Sequence, residues 1–384
     1  MSLKIHYLDH AAATPLDERV FLAMQPYLKE DFYNPSSSYA GGRRVRGALE
    51  KARTNIAGLL GAKPVDIIFT AGATESIHMA LGGVLSEGGH AVIGATEHVA
   101  VRSAAEAYPH SIATSDSRGL VTAEAVRAAM KDDTVLISLA LADSEFGTVQ
   151  PIAEIARLVE TEREKRQLAG NRTPLYLHSD GSQAVNTLNL KVSRLGVDML
   201  SLNAAKCYGP KQVGLLWLKS SIQLKPFLTG GGQERGLRSG TENVAGAVGF
   251  AMALELAQKG ARHENERLNR LRDDLKKRLQ TALPELIFDG HPKHCLPGHI
   301  HIHLADLDAE RVVFHLDNEG VYVATGAACA ANKSTRSPAL TAIGLTPEEA
   351  DGSLRITLGH MNDIADMPVV ADKIINAIRV ERGL

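Results

Sequence analysis

Two residues carry the clearest chemistry in this chain, Asp180 and Lys206. Asp180 closes the apolar run Pro174-Leu-Tyr-Leu-His-Ser-Asp180, and Lys206 closes Val197-Asp-Met-Leu-Ser-Leu-Asn-Ala-Ala-Lys206. Both runs read as strands, so an acid and an amine stand at the tips of neighbouring strands. An acid placed there can pair with the nitrogen of a pyridine ring, and a lysine can form an imine with an aldehyde on that ring. These are the minimum protein contacts for pyridoxal 5'-phosphate (PLP). The acid keeps the ring nitrogen protonated, and the lysine moves protons once a substrate amine displaces it. Taken singly, Asp180 also suits a helix N-cap, and Lys206 a solvated strand end.

Other groups fit the same chemistry. Thr70-Ala-Gly-Ala73-Thr74-Glu75 joins a strand to a helix. Small residues let the backbone approach an anion, and a helix N-terminus adds N–H groups and a positive dipole. Ala73 and Thr74 are therefore candidate phosphate contacts, although an ordinary N-capped turn has the same pattern. Gln183 lies three residues beyond Asp180, within reach of a ring hydroxyl. His98 follows the strand 91–94, where a neutral imidazole could stack on a cofactor ring; a structural histidine fits as well. Arg355, flanked by apolar residues, suits a bidentate grip on a substrate carboxylate or a structural salt bridge. Cys329 sits on a loop of small residues with Lys333 and Arg336 close in sequence. Nearby cations on an exposed loop favour the nucleophilic thiolate. Cys207 and Cys295 read as bystanders.

These groups need a scaffold that brings strand ends together. From about residue 45 to 260 strand and helix signals alternate, the pattern of a mostly parallel sheet covered by helices on both faces. Ligands in such sheets gather at the carboxyl ends of strands, where Thr70, Asp180 and Lys206 lie. Leu215–Leu218 follows its predecessor after a short turn, which predicts an antiparallel strand. Beyond residue 260 the spacing predicts a charged helix over about 262–283 with Leu268, Leu271, Leu275 and Leu279 on one face. Short strands and a final helix over 367–381 complete a smaller α+β unit. The expected division is a large domain of residues 16–257 and a small one of 1–15 and 258–384.

Composition excludes several function classes. The 384 residues carry 42 basic and 44 acidic side chains, net charge -2, with no long block of one sign. Nucleic acid and membrane surfaces are not expected partners, and no metal is expected. Aromatic residues are 4%, too few for base-stacking platforms. Three cysteines do not make a disulfide framework, and there is no signal-peptide core or membrane-length apolar run, so a cytoplasmic setting is expected.

The ordered motifs resemble the cysteine desulfurases, PLP enzymes of the class-V aminotransferase family with the fold type I architecture. The resemblance spans Tyr7-Leu-Asp-His-Ala-Ala-Ala-Thr-Pro15, Asn34-Pro-Ser-Ser37, Phe69–Ser76, Thr96-Glu-His98 and Glu145–Pro151. It continues through His178–Gln183, Lys206–Lys211, Gly230–Thr241, Gly326-Ala-Ala-Cys329 and Leu354–Gly359. It implies a seven-stranded-type large sheet, with Lys206 as the Schiff-base lysine, Asp180 as the ring-nitrogen partner and Gln183 at the ring hydroxyl. His98 would stack on the ring, and Ala73 and Thr74 would hold the phosphate. Asn203 and Ser144 would stand where the family places further cofactor contacts. Thr241 would reach the phosphate of another subunit, which implies a homodimer with shared sites. Arg355, helped by Asn34, would bind the carboxylate of L-cysteine. Cys329 would take the sulfur as a persulfide and leave L-alanine. The acceptor would be an iron–sulfur scaffold or another sulfur-acceptor protein.

The chain departs from the family pattern beside the lysine, where Asn203-Ala-Ala replaces Ser-x-His. It also has Ser144 at the usual ring-side asparagine, Tyr39 near a missing histidine, and His10 and Ala13 at the N-terminus. Two alternatives stand beside the leading one: a selenocysteine lyase or related PLP lyase, and a degenerate, non-catalytic binding subunit.

Overall fold

The computed structural model describes residues 4–326 and 336–383. Its centre is a seven-stranded sheet. From one edge the strands run Ile67–Thr70, Gly214–Leu218, Met199–Asn203, Tyr176–Asp180, Thr134–Ser138, His90–Gly94 and His110–Ala113. All pairings are parallel except the two made by Gly214–Leu218. That strand returns directly after a turn, with no crossover helix to reverse it, so it lies antiparallel as the spacing predicts. Its neighbours Ile67–Thr70 and Met199–Asn203 are buried at all but one position, on both faces, which explains their largely apolar composition. Asp180 is paired with Ser201 across the sheet, which puts the acid and the chain leading to Lys206 side by side.

A separate four-stranded antiparallel sheet contains Ala324–Thr325, Ser353–Thr357, His299–His303 and Ile287–Phe288, in that order. The N-terminal His6–Tyr7 pairs in parallel with Val321–Tyr322. Met367–Glu381 is helical over the expected range.

Two expectations need correction. The helix expected to start near residue 262 is the second half of one 39-residue helix, Val244–Ala282. Its first half buries Val244, Phe250 and Leu254 against the large sheet's core, and its second half buries Leu268, Leu271, Leu275 and Leu279 in the other core. Gly260 and the polar stretch around it look like a break in sequence, yet a single helical glycine costs only about 1 kcal/mol. Packing on both sides outweighs that. Lys206 is not at a strand tip either. The strand stops at Asn203, whose Oδ1 accepts the Ala205 N–H at 3.1 Å and turns Ala204–Lys206 into a single 3-10 turn.

The edge strand His110–Ala113 and the helix Ala123–Ala129 were not anticipated. Both are short, and the strand is buried at only one of its four positions, so neither carries a strong pattern.

Candidate active site

At the carboxyl ends of the sheet strands lies a cavity of 250 Å³, lined by Thr74, His98, Ser144, Asp180, Asn203 and Lys206 among others. Ala73 and Gln183 also line it. Eight of the sequence candidates thus converge on one space.

The Ala73–Leu85 helix opens into this cavity without a side-chain cap, because its N-cap residue is Gly72. Uncapped first-turn N–H groups at a helix start suit an anion. Gly72 has φ 141°, a conformation that favours glycine, and a Cβ on Gly214 would come within 2.6 Å of Gly72 backbone atoms. Both glycines are therefore needed to shape the cradle.

Asp180 is 8% exposed. Its Oδ1 accepts from the Ser182 N–H at 2.9 Å and the Ser182 hydroxyl at 2.6 Å, while Oδ2 accepts nothing among the described residues. One oxygen is fixed, and the other is available to a protonated ring nitrogen. His98 caps the Val99–Ala105 helix by accepting the Ala100 N–H on Nδ1 at 3.1 Å. An accepting Nδ1 makes the ring a neutral imidazole with hydrogen on Nε2. Burial, then the charges of Lys206 and Arg355, hold its pKa below the ordinary value against the opposing pull of Asp180. A neutral, flat ring suits stacking.

Lys206 Nζ donates to the Ala11 carbonyl at 2.7 Å and the Ala12 carbonyl at 2.6 Å. Gln183 Nε2 donates to the same Ala11 oxygen at 3.1 Å. The N-terminal segment therefore closes one side of the site, a contribution missed in sequence because it depends on partners far apart in the chain. The motif Tyr7–Pro15 was the available signal.

Arg355 does not line the cavity. Its Nη2 donates to Asp9 Oδ1 at 2.8 Å and its Nη1 to the Ser144 carbonyl at 3.4 Å, while the buried Nε has no partner among the described residues. The salt-bridge alternative is thus realised here, one residue from the cavity wall.

A family profile described as "Aminotransferase class-V" matches residues 6–370. The chain belongs to the class-V aminotransferase family. It is 38% identical to a protein of Dictyoglomus turgidum named "Cysteine desulfurase IscS", over 97% of this chain and 95% of that one. It is 33% identical to a human protein named "Cysteine desulfurase", over 97% of this chain and 81% of the relative. Among solved structures, one titled "NIFS-LIKE PROTEIN" superposes with TM-score 0.90 at 29% identity, covering 98% of this chain and all (100%) of the other. Another, "SspA in complex with cysteine", gives TM-score 0.77 at 30% identity, covering 92% of this chain and 98% of the other.

Not every predicted residue reaches the cavity of this class-V aminotransferase family member. Asn34 is exposed and its Oδ1 accepts the Ser36 N–H at 2.8 Å. Thr241 is exposed as well. Cys329 and Lys333 lie outside the described residues. Arg336, expected to favour the Cys329 thiolate, spends its guanidinium on Asp351 at 3.0 and 3.2 Å. Cys207 and Cys295 are bystanders: burial raises their pKa values to about 12 and about 11.

Sequence reasoning also gave no role to the buried acids Glu97, Asp143 and Glu145. Burial raises all three, Asp143 to about 6 and Glu145 to about 8. Asp143 Oδ1 accepts the N–H groups of Glu145 and Phe146 at 2.7 and 2.8 Å, and so shapes the turn that carries Ser144. The signal was present in the quoted Thr96-Glu-His98 and Asp143-Ser-Glu145 segments, where acids interrupt otherwise apolar surroundings.

Proposed function

We propose that this chain is a PLP-dependent cysteine desulfurase that converts L-cysteine to L-alanine and carries the sulfur on Cys329. The observation that carries the reading is the convergence of Asp180, Lys206, neutral His98 and an uncapped helix start on one cavity. The names of the relatives support the choice of substrate.

The residues present fit the cofactor. The first turn at Ala73 and Thr74 would hold its phosphate, Asp180 Oδ2 its ring nitrogen, Gln183 its ring hydroxyl and His98 its face, with Asn203 and Ser144 alongside. When bound, PLP supplies an electron sink for charge that develops at the substrate α-carbon. Asp180 Oδ2 would face the ring nitrogen and favour a positive charge there. Lys206 Nζ would remove the Cα proton, deliver a proton to Cβ once sulfur has left and return a proton to Cα before alanine departs. Arg355 would give up its bond to the Ser144 carbonyl to turn Nη1 toward the substrate carboxylate, with Asp9 still on Nη2. His98 Nε2 donates a hydrogen bond and excludes water from the ring face.

The Cys329 thiolate attacks the substrate sulfur. The S–S bond forms as the Cβ–S bond breaks, and the electron pair left on Cβ takes a proton. The balance is L-cysteine plus Cys329 thiol giving L-alanine plus Cys329 persulfide, with no external oxidant or reductant. The persulfide then passes to a sulfur-acceptor protein, of the kind that builds iron–sulfur clusters.

The working form is a homodimer in which Thr241 serves the partner's phosphate. The exposure of Thr241, together with Phe227 and Leu228 at 49% each, supports this. No helix among the described residues is long and apolar enough to cross a membrane, and the setting we propose is cytoplasmic.

Incubation of purified, PLP-loaded protein with L-cysteine tests the reading. Alanine and a persulfide should appear, and Cys329→Ser should retain cofactor on Lys206 yet lose sulfur transfer. Cofactor-loaded wild type that forms no alanine would sink it.

A further inference from the structure

The seam between the cavity wall and the small antiparallel sheet concentrates buried polar atoms without partners among the described residues. They include Glu97 Oε2, Arg102 Nε, Asp143 Oδ2, Glu145 Oε2, His301 Nε2 and Arg355 Nε. Buried polar groups are normally satisfied, so such a cluster calls for a function or for internal water.

Glu145 alone among these acids also bonds outward, to the chain beyond Cys329. Its Oε1 accepts the Ser337 hydroxyl at 2.5 Å. Ser337 is 3% exposed, and its Oγ accepts the N–H groups of Ala339 and Leu340 at 3.2 and 3.4 Å. With its oxygen serving as an N-cap, the hydroxyl hydrogen goes to Glu145. The next residue, Phe146, joins Ala339, Leu340, Ile343 and Ala350 in a small apolar cluster separate from the main cores. One polar and one apolar contact therefore fasten the Pro338–Ala342 helix to the turn whose Asp143 and Ser144 line the cavity.

The chain is fastened before Cys329 too. The Gly326 N–H donates to the Ser353 carbonyl at 2.9 Å. A Cβ at Gly326 would stand 2.0 Å from Ser353 Oγ and 2.8 Å from His301 Nε2, so only glycine allows this approach.

We propose that Glu145 is a positioning residue for sulfur transfer: through Ser337 it ties the chain that follows Cys329 to the wall of the cofactor cavity. The inference rests on the reading of Cys329 as the sulfur acceptor. A nucleophile displaced by about 1 Å loses about a hundredfold in rate, so an anchor beside the cavity wall on the chain that carries the nucleophile has a direct kinetic value. Burial and the neighbouring Asp143 keep the Glu145 carboxyl protonated up to about pH 8, against the pull of Ser337, Arg355 and Arg102. A neutral carboxyl anchors Ser337 without leaving an unpaired buried charge, and glutamine reproduces its shape.

The test measures alanine formation from L-cysteine by the holoenzyme, as kcat and KM, for wild type, Glu145→Ala, Ser337→Ala, their double variant and Glu145→Gln. Either alanine substitution should lower kcat about ten- to a hundredfold and leave KM within about twofold. The double variant should lose no more than the worse single one, because both break one contact, and Glu145→Gln should recover most of the rate. Ser337→Ala, a small truncation, keeps the test open if Glu145→Ala does not fold. Alanine variants with wild-type kcat would overturn the proposal. So would kcat and KM that worsen together in step with a lowered melting temperature, or a glutamine variant as slow as alanine. Wild type that makes no alanine fails the desulfurase reading instead, which separates the two failures.

Discussion

The cofactor side and the substrate side of this site are built differently. On the cofactor side, groups keep atoms without a partner among the described residues: an uncapped helix start, the Asp180 Oδ2 and the Nε2 of a neutral His98 whose Nδ1 is fixed by the Ala100 N–H. On the substrate side the groups are already engaged. Arg355 is bonded to Asp9 and the Ser144 carbonyl, and Lys206, which would carry the cofactor and turn to the substrate once displaced from it, donates to two backbone carbonyls. The first arrangement suits a resident group that should bind tightly, since nothing must be broken to admit it. The second suits a transient one, because bonds given up on binding are regained on release.

Substitutions can break or sharpen this contrast. The largest effect is expected on the ready side. Asp180→Asn removes the charge opposite the ring nitrogen and should lower kcat about a hundred- to a thousandfold, with KM for L-cysteine little changed. A change confined to KM would erase the distinction between the two sides. Arg355→Lys should act the other way, raising KM about tenfold, equivalent to losing about 1.5 kcal/mol of charge-assisted hydrogen bonding. Steady-state alanine assays measure both.

Gly214→Ala tests whether the phosphate cradle depends on close backbone approach. Its Cβ would press on Gly72 at 2.6 Å, so melting experiments should show a loss of about 1–3 kcal/mol. PLP titration should show weakened uptake as well; unchanged uptake would place the cradle elsewhere. The smallest effect concerns pH. Glu145 is raised from 4.5 to about 8, so the folded chain holds a proton that the unfolded chain releases above about 4.5. Its stabilising contribution is full below that value and declines until about pH 8. Glu145→Gln should flatten this part of the stability profile in denaturant titrations across that range. A profile as steep as wild type would mean that the carboxyl is ionised throughout.

Much of the ready side was legible in sequence, because each group sits on a local signal. A buried strand leads into Asp180, a small-residue turn precedes Thr74, and His98 follows a strand at once. The engaged side was not legible in the same way. Arg355 reads equally as clamp or salt bridge, and its partner Asp9 lies at the other end of the chain. The Lys206 contacts are to backbone carbonyls, which no side-chain pattern reveals. Glu145 was visible as a motif letter, yet its bond to Ser337 depends on tertiary packing. The same limit affected the fold. The helix over 367–381 and the antiparallel Gly214–Leu218 strand follow from local pattern, whereas the continuity of Val244–Ala282 does not.

That 39-residue helix spans about 58 Å at the usual rise per residue. It acts as a shared spine: Phe250 and Leu254 anchor one end in one core, and Leu275 and Leu279 anchor the other end in the second. Melting either core would strip half of the spine's apolar face, and a half-stripped rod stabilises the remaining core less well. Calorimetry of the intact chain should therefore record a single heat-absorption peak rather than two, and any relative movement of the halves during turnover has to bend this rod or pivot about its ends.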